Sequence, residues 1–230
     1  MFAYSGELPN SMFKSWMTYQ AAGAQHIISY RTKWGNEGFN VSDSNKQKIH
    51  EWFRDSIYVY SDENIEGDEK TDILKIAEEM IVRNGVDVIL IDNLMTGLDM
   101  IANGGQDKYE KQSVFVKALA RLAIKFDVLI LLVAHMRKNN YSANGNDEVS
   151  GSSDITNLCS VTLMYEKDYD MPTMRRLKCW KNRVFGKTNP TGWLMDYDER
   201  SKRVFGEHDE KDKQFGWGDG FEVIVDSPFV

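Results

Sequence analysis

Cysteine is nearly absent from this chain of 230 residues: Cys159 and Cys179 each sit in an apolar, β-rich stretch, with no second Cys or His at metal-ligand spacing. A disulfide scaffold and a structural zinc site are thereby excluded, and both thiols are expected to be reduced core residues. Long apolar runs are absent too. The longest, Val128 to Ala134, is about a third of what a bilayer crossing needs, and Met1 leads into no basic segment followed by an apolar stretch. A soluble, cytoplasmic protein is expected. Positive charge is in deficit as well: the formal net charge of −7 argues against a protein that coats nucleic acid with uniform positive potential. The deficit is local, however. From Gly206 onward seven acids face only Lys211 and Lys213, while Arg175, Arg176, Lys178, Lys181, Arg183 and Lys187 form a basic cluster upstream, so a surface facing DNA stays open.

What is present is enough apolar residue, 42% of the chain, for one sizeable core and too little length for two full domains. We expect a core over residues 1–205 and an acidic tail over 206–230. The apolar spacing of Met12, Phe13, Trp16 and Met17 predicts a helix over Pro9 to Gly23, after a strand at Phe2 to Ser5. Ser42 to Asp55 reads as a second helix capped by Ser42 or Asp43, and Ser56 to Tyr60 as a strand. Asp68 to Asn84 reads as a third helix, stopped by Gly85. Val86 to Ile91 and Asp127 to Ala134 are continuous apolar runs of the kind buried on both faces of a parallel sheet, with a long helix, Lys108 to Phe126, between them. Strand, helix, strand in this form is a right-handed crossover, so the fold class is α/β, a mostly parallel sheet flanked by helices. Three shorter strands near Ser160 to Glu166, Met174 to Lys181 and Gly192 to Tyr197 then form an antiparallel extension. Thr96 to Gln106 and Met136 to Gly151 read as loops following the carboxyl ends of parallel strands, where ligands bind in open α/β sheets.

Three polar residues end apolar strands. Asp92 closes VDVILID, where its carboxylate could hold a hydrated Mg²⁺ or simply cap the next helix. His135 closes the neighbouring run, as a phosphate sensor or a satisfied polar residue. Glu7 follows Phe2 to Ser5, as a carboxylate that orients an attacking water or as a first-turn acid favoured by the helix dipole. Lys181 and Arg183, two apart on a strand, share a face: either a pair that reaches a phosphate across a subunit boundary or a solvated basic strand.

The order of MFAYSGELP (Met1 to Pro9), VDVILIDNL (Val86 to Leu94), VLILLVAHMRK (Val128 to Lys138), VSGSSDITNLCSVTLMYEKD (Val149 to Asp168) and LKCWKNRVFGKTNPTGW (Leu177 to Trp193) resembles the helicase domain of the DnaB-type and phage primase–helicase family, RecA-like hexameric replicative helicases. The match covers roughly residues 1 to 197 and is specific as an ordered set. The resemblance implies a RecA-like fold, with Glu7 as catalytic glutamate, Asp92 on the Mg²⁺-holding strand and His135 as γ-phosphate sensor. It makes Asn157 a phosphate- or DNA-sensing residue, and Lys181 and Arg183 cations that act on the neighbouring subunit's nucleotide. Arg137, Lys138, Asn139 and Asn140 would grip single-stranded DNA from a central loop, with Thr96 to Lys108 as a second candidate. The implied cofactors are Mg²⁺ and ATP or another NTP or dNTP. The implied assembly is a hexameric ring in a bacterial or phage-infected cell, with primase and DNA polymerase as further partners, the polymerase through the acidic tail.

One motif of that family is missing. No segment reads GxxxxGK(S/T), the loop whose backbone amides and lysine cradle phosphates; Gly104 to Lys108 (GGQDK) has glycines and a lysine but not the spacing. The family's primase or N-terminal helical domain is missing too. We therefore expect the 230 residues alone to hydrolyse no NTP. Two other classes stay open: a non-catalytic module that binds DNA or oligomerises, and a truncated recombinase-type ATPase of the same fold.

Overall fold

The opening strand and the two apolar runs that follow Gly85 and Phe126 lie side by side in one parallel sheet. The computed structural model of the protein describes residues 1–61, 72–101, 107–135 and 154–218. In chain order the elements are β1 (Phe2–Ser5), α1 (Asn10–Ala22), β2 (Ile27–Arg31), β3 (Glu37–Val41), α2 (Asp43–Phe53), β4 (Tyr58–Val59), α3 (Ile73–Asn84), β5 (Val88–Asp92), α4 (Leu94–Asp99), α5 (Lys108–Phe126), β6 (Leu129–Leu132), α6 (Asp154–Leu158), β7 (Val161–Lys167), β8 (Arg175–Asn182), β9 (Asn189–Asp198) and β10 (Arg203–Gly206). The parallel sheet has the order β4-β1-β5-β6, and β7 to β10 form a separate antiparallel sheet in the order β10-β9-β8-β7. This is the expected α/β architecture. Among the described residues no helix is long and apolar enough to cross a membrane.

Register sets the main core. Phe2 lies opposite Ile89 and Tyr4 opposite Ile91, so these four side chains share one face of the sheet. That face packs on Ile73 and Ala77 of α3 and on Phe115, Val116, Leu119 and Leu122 of α5. Both helices are held at their ends by local chemistry. The Asp72 side chain accepts from Leu74 N and the Asp107 side chain from Tyr109 N; at the far end of α3, Gly85 takes φ 63°, a left-handed conformation that suits glycine. Ser42 caps α2 in the same way, accepting from Asn45 N.

A second core gathers Ala21, Ala22, Ile27, Val41, Ile49 and Trp217. It closes the C-terminal end of α1, whose last carbonyls have no helical partner. Arg203 Nε donates to Gln20 O at 2.8 Å and Trp217 Nε1 to Ala21 O at 2.8 Å. Arg203 also donates to the carbonyls of Lys211 and Lys213. The first part of the acidic tail is thus fastened to the body of the protein, and residues 219–230 lie outside the described residues.

Three expectations need correction. β6 is not buried on both faces: Ile130 and Leu132 pack on the core, while Leu129 and Leu131 are 55% and 45% exposed, and Val133 just beyond them 38%. The reason is alternation at an edge strand: Ile130 and Leu132 point to the face that α3 and α5 cover, Leu129 and Leu131 to the other, and among the described strands β6 hydrogen-bonds to β5 alone. The stretch from Thr96 is not a loop from its start, because α4 begins at Leu94. The antiparallel extension has a fourth strand, β10, and the β2–β3 hairpin was not foreseen.

Candidate active site

Parallel pairing brings the strand-end residues together. Ser5 lies opposite Asp92, its Oγ donates to Asp92 Oδ2 at 2.9 Å, and Gly6 N donates to Asp92 O at 2.7 Å. The chain leaving β1 is therefore fixed to the end of β5. Two residues on, Glu7 turns its carboxylate toward the ends of β5 and β6. Glu7 Oε1 accepts from Asn93 Nδ2 and lies 2.9 Å from His135 Nε2. The alternative in which Glu7 serves the first turn of α1 does not hold: α1 starts at Asn10 behind Pro9, with no acid in its first turn. The His135 hydrogen bond, chiefly, holds the Glu7 carboxyl below its ordinary range; partial desolvation opposes the shift and the Asn93 hydrogen bond adds to it. A carboxyl kept ionised in this way is a weak proton acceptor and a good orienting acceptor.

Asn93 supports the arrangement from below. Its side chain accepts from Met95 N and Thr96 N, and Thr96 Oγ1 receives a hydrogen bond from Asn93 N, a reciprocal cap on α4. The peptide between Asp92 and Asn93 is cis. Gly6 packs directly on this cap, and a Cβ there would lie 2.4 Å from Thr96 Cβ. Only glycine can occupy that position without moving the segment that carries Glu7.

Asp92 is half-buried with Ser5 beside it, and among the described residues no three His, Cys, Asp or Glu gather as a direct metal cage. One carboxylate, steadied by a neighbouring hydroxyl, suits a Mg²⁺ that keeps its waters and takes other ligands from phosphates. The donor set fits such an ion and not a protein-caged one.

The other expected site residues fall elsewhere. Lys181 Nζ donates to the carbonyls of Thr156 and Asn157, the latter at 3.0 Å, closing the end of α6. Burial, foremost, and the nearby Arg183 lower the Lys181 pKa. Arg183 is exposed just past β8, and the Asn157 side chain is exposed as well. Of the upstream cluster, Arg176 is paired with the buried Asp168 and Lys178 with Glu166. Arg137, Lys138, Asn139 and Asn140 lie outside the described residues, as does most of Met136 to Gly151. Cys179 is buried and Cys159 half-buried, both free thiols. Sequence reasoning missed Ser5, Asn93 and Thr96. The spacing of Asn93 and Thr96 ahead of an apolar turn is a capping signature that could have revealed two of them.

No protein-family model matches the chain, and no curated protein matches it in sequence. In three dimensions it is similar to the KaiC-like protein PH0186 from the hyperthermophilic archaeon Pyrococcus horikoshii OT3, with a TM-score of 0.52 at 8% identity over 89% of this chain and 74% of that one. It is similar also to the RadB recombinase, with a TM-score of 0.51 at 10% identity over 88% of this chain and 77% of that one. At such identities the likeness shows the fold alone, which is RecA-like.

Proposed function

We propose that the chain works as part of an NTP-driven replicative DNA helicase that moves along single-stranded DNA. The observation that carries this reading is the hydrogen-bonded pair Glu7 and His135 beside Asp92, at the carboxyl ends of three neighbouring parallel strands. In it Glu7, kept ionised, orients the water that attacks the γ-phosphorus, and His135 contacts the γ-phosphate and relays its presence to Glu7. Asp92 holds Mg²⁺ through water, and that ion neutralises phosphate charge when bound. Of the two cations expected to act across a subunit boundary, Lys181 is committed to the carbonyls of α6, so Arg183 is the finger. The ordered family resemblance supports the helicase reading over other proteins of this fold, and the ring, the DNA strand and the primase and polymerase contacts belong to the same proposal.

No phosphate loop is present in the 230 residues, so the pure chain should show no Mg²⁺-dependent hydrolysis. Supplying a strand, a GxxxxGK(S/T) loop and its helix, fused upstream or as a second polypeptide, should create hydrolysis that Glu7→Gln and Arg183→Ala each abolish. Hydrolysis by the pure chain that disappears in Glu7→Gln would overturn the need for a supplied loop. Completed protein whose hydrolysis ignores Glu7→Gln would overturn the assignment of the site.

A further inference from the structure

Among the described residues Asn93 is the one fully buried polar side chain in contact with Glu7 and His135, 1% exposed, and its geometry leaves no freedom in how its amide is oriented. Its Oδ1 accepts from Met95 N at 2.9 Å and from Thr96 N at 3.3 Å. Both are backbone donors at the start of α4, so the oxygen must face the helix and the NH₂ must face the site. That NH₂ donates to Glu7 Oε1 and lies 2.9 Å from His135 Nε2, while Nε2 itself lies 2.9 Å from Glu7 Oε1. Three heavy atoms in one triangle cannot all be joined. If Nε2 lacked a proton, its lone pair would face the carboxylate oxygen at hydrogen-bond distance, which is repulsive. If Nε2 carries the proton, it donates to Glu7 as a bond to a charged acceptor, the stronger choice, and the contact between Asn93 and His135 is only an approach. Glu7 Oε1 then accepts twice, from Asn93 and from His135. Oε2 has no partner among the described residues.

We infer that Asn93 is a positioning residue: with its oxygen locked by the cap of α4, its amide pins Glu7 Oε1 against His135 and leaves Oε2 as the oxygen that faces the attacking water. The inference rests on the catalytic reading of Glu7 for its meaning and on the hydrogen bonds alone for its geometry. The capping role and the pinning role use opposite ends of one side chain, so they can be separated. Asn93→Asp keeps an oxygen toward Met95 N and Thr96 N and replaces the donor with a second acceptor. Asn93→Ser keeps a short capping hydroxyl and cannot reach Glu7.

The experiment reads Glu7 directly in the 230-residue chain, by following its carboxyl carbon in an NMR titration of wild type, Asn93→Ser and Asn93→Asp. A hydrogen bond to the ionised form favours it, so removing the donor should raise the Glu7 midpoint by about half a pH unit or more in both variants, and further in Asn93→Asp, where a like charge is added. Circular dichroism identifies which variants keep the fold, and either one suffices. A folded variant whose Glu7 midpoint is that of wild type overturns the inference. In the protein completed with a phosphate loop, the same variants should lower kcat about 10- to 100-fold with KM for nucleotide little changed, since a misplaced Oε2 affects only the reacting geometry. Equal kcat in variant and wild type would overturn it there. The titration does not depend on hydrolysis, so failure of the helicase reading and failure of the pinning are told apart.

Discussion

Trp217 sits in a segment whose composition is that of a solvated acidic tail, yet it is 5% exposed, and replacing it by alanine is the most direct test of the second core. The indole packs with Ala21, Ala22, Ile27, Val41 and Ile49, meets the His26 ring edge-on at 4.9 Å, and donates from Nε1 to Ala21 O. A buried tryptophan removes about 150 to 250 Å² from water, and truncations of that size cost about 3 to 5 kcal/mol once the cavity is included. The loss has a ceiling, because once the docking of the Trp217 segment is gone no further stability remains to be lost from it. Trp217→Phe keeps an aromatic ring and loses the indole donor, leaving Ala21 O with one long contact from Arg203, for a cost of about 1 to 2 kcal/mol. Urea unfolding followed by far-ultraviolet circular dichroism should rank the proteins wild type, Trp217→Phe, Trp217→Ala, and limited proteolysis should cut within 206–218 first in the alanine variant. A Trp217→Ala protein within about 0.5 kcal/mol of wild type, and no more easily clipped, would refute the docked tail.

Asp168 and Gly192 give two further tests in the antiparallel sheet. The Met171 N–H, foremost, and then Arg176 hold the Asp168 carboxyl below its ordinary range. Its folded pKa is below its unfolded one, so its contribution is fully present well above the unfolded carboxylate value and fades as pH falls through the folded one. Asp168→Asn should therefore melt at a lower temperature than wild type at pH 7, with the gap narrowing as the solution is acidified through the carboxylate range; a gap that stays constant on acidification would remove the ionic explanation. Gly192 has φ 78°, and a Cβ there would lie 2.7 Å from Arg176 Cγ and 2.9 Å from Leu177 O, whereas at Gly186, φ 68°, a Cβ meets nothing within 4 Å. Both alanine variants incur the left-handed penalty of about 1 kcal/mol, and Gly192→Ala should lose about 1 to 3 kcal/mol more in urea unfolding, so equal losses would refute the steric part.

Local signals carried the elements whose causes are local. α5 was legible as a long run of helix formers between two apolar runs, while its Asp107 cap and its end at Asp127, read as the start of the next strand, came from the structure; the apolar runs of β5 and β6 announced a parallel sheet. β2, with Ile28 and Tyr30 exposed, carries no inward alternation to read, and β10 is four residues whose partner lies across a turn. Glu7, Asp92 and His135 could be singled out as polar groups at strand ends. That they meet as they do depends on the Ser5 to Asp92 register, which sequence spacing does not encode. The same holds for Lys181, whose carbonyl partners lie 24 and 25 residues upstream, and for Trp217, whose acceptor is 196 residues away.

The outer side of β6 sets a condition on how this polypeptide can be handled by a cell. Among the described residues one edge of β6 has no partner strand, and Leu129, Leu131 and Val133 lie bare on the face beside it, a combination on which another extended chain can grow. Natural edge strands are usually guarded by lysine, proline or a bulge, and the segment from Val128 to Ala134 contains no charge and no proline. An edge of that kind is a site of aggregation for the chain on its own, more so as its concentration rises.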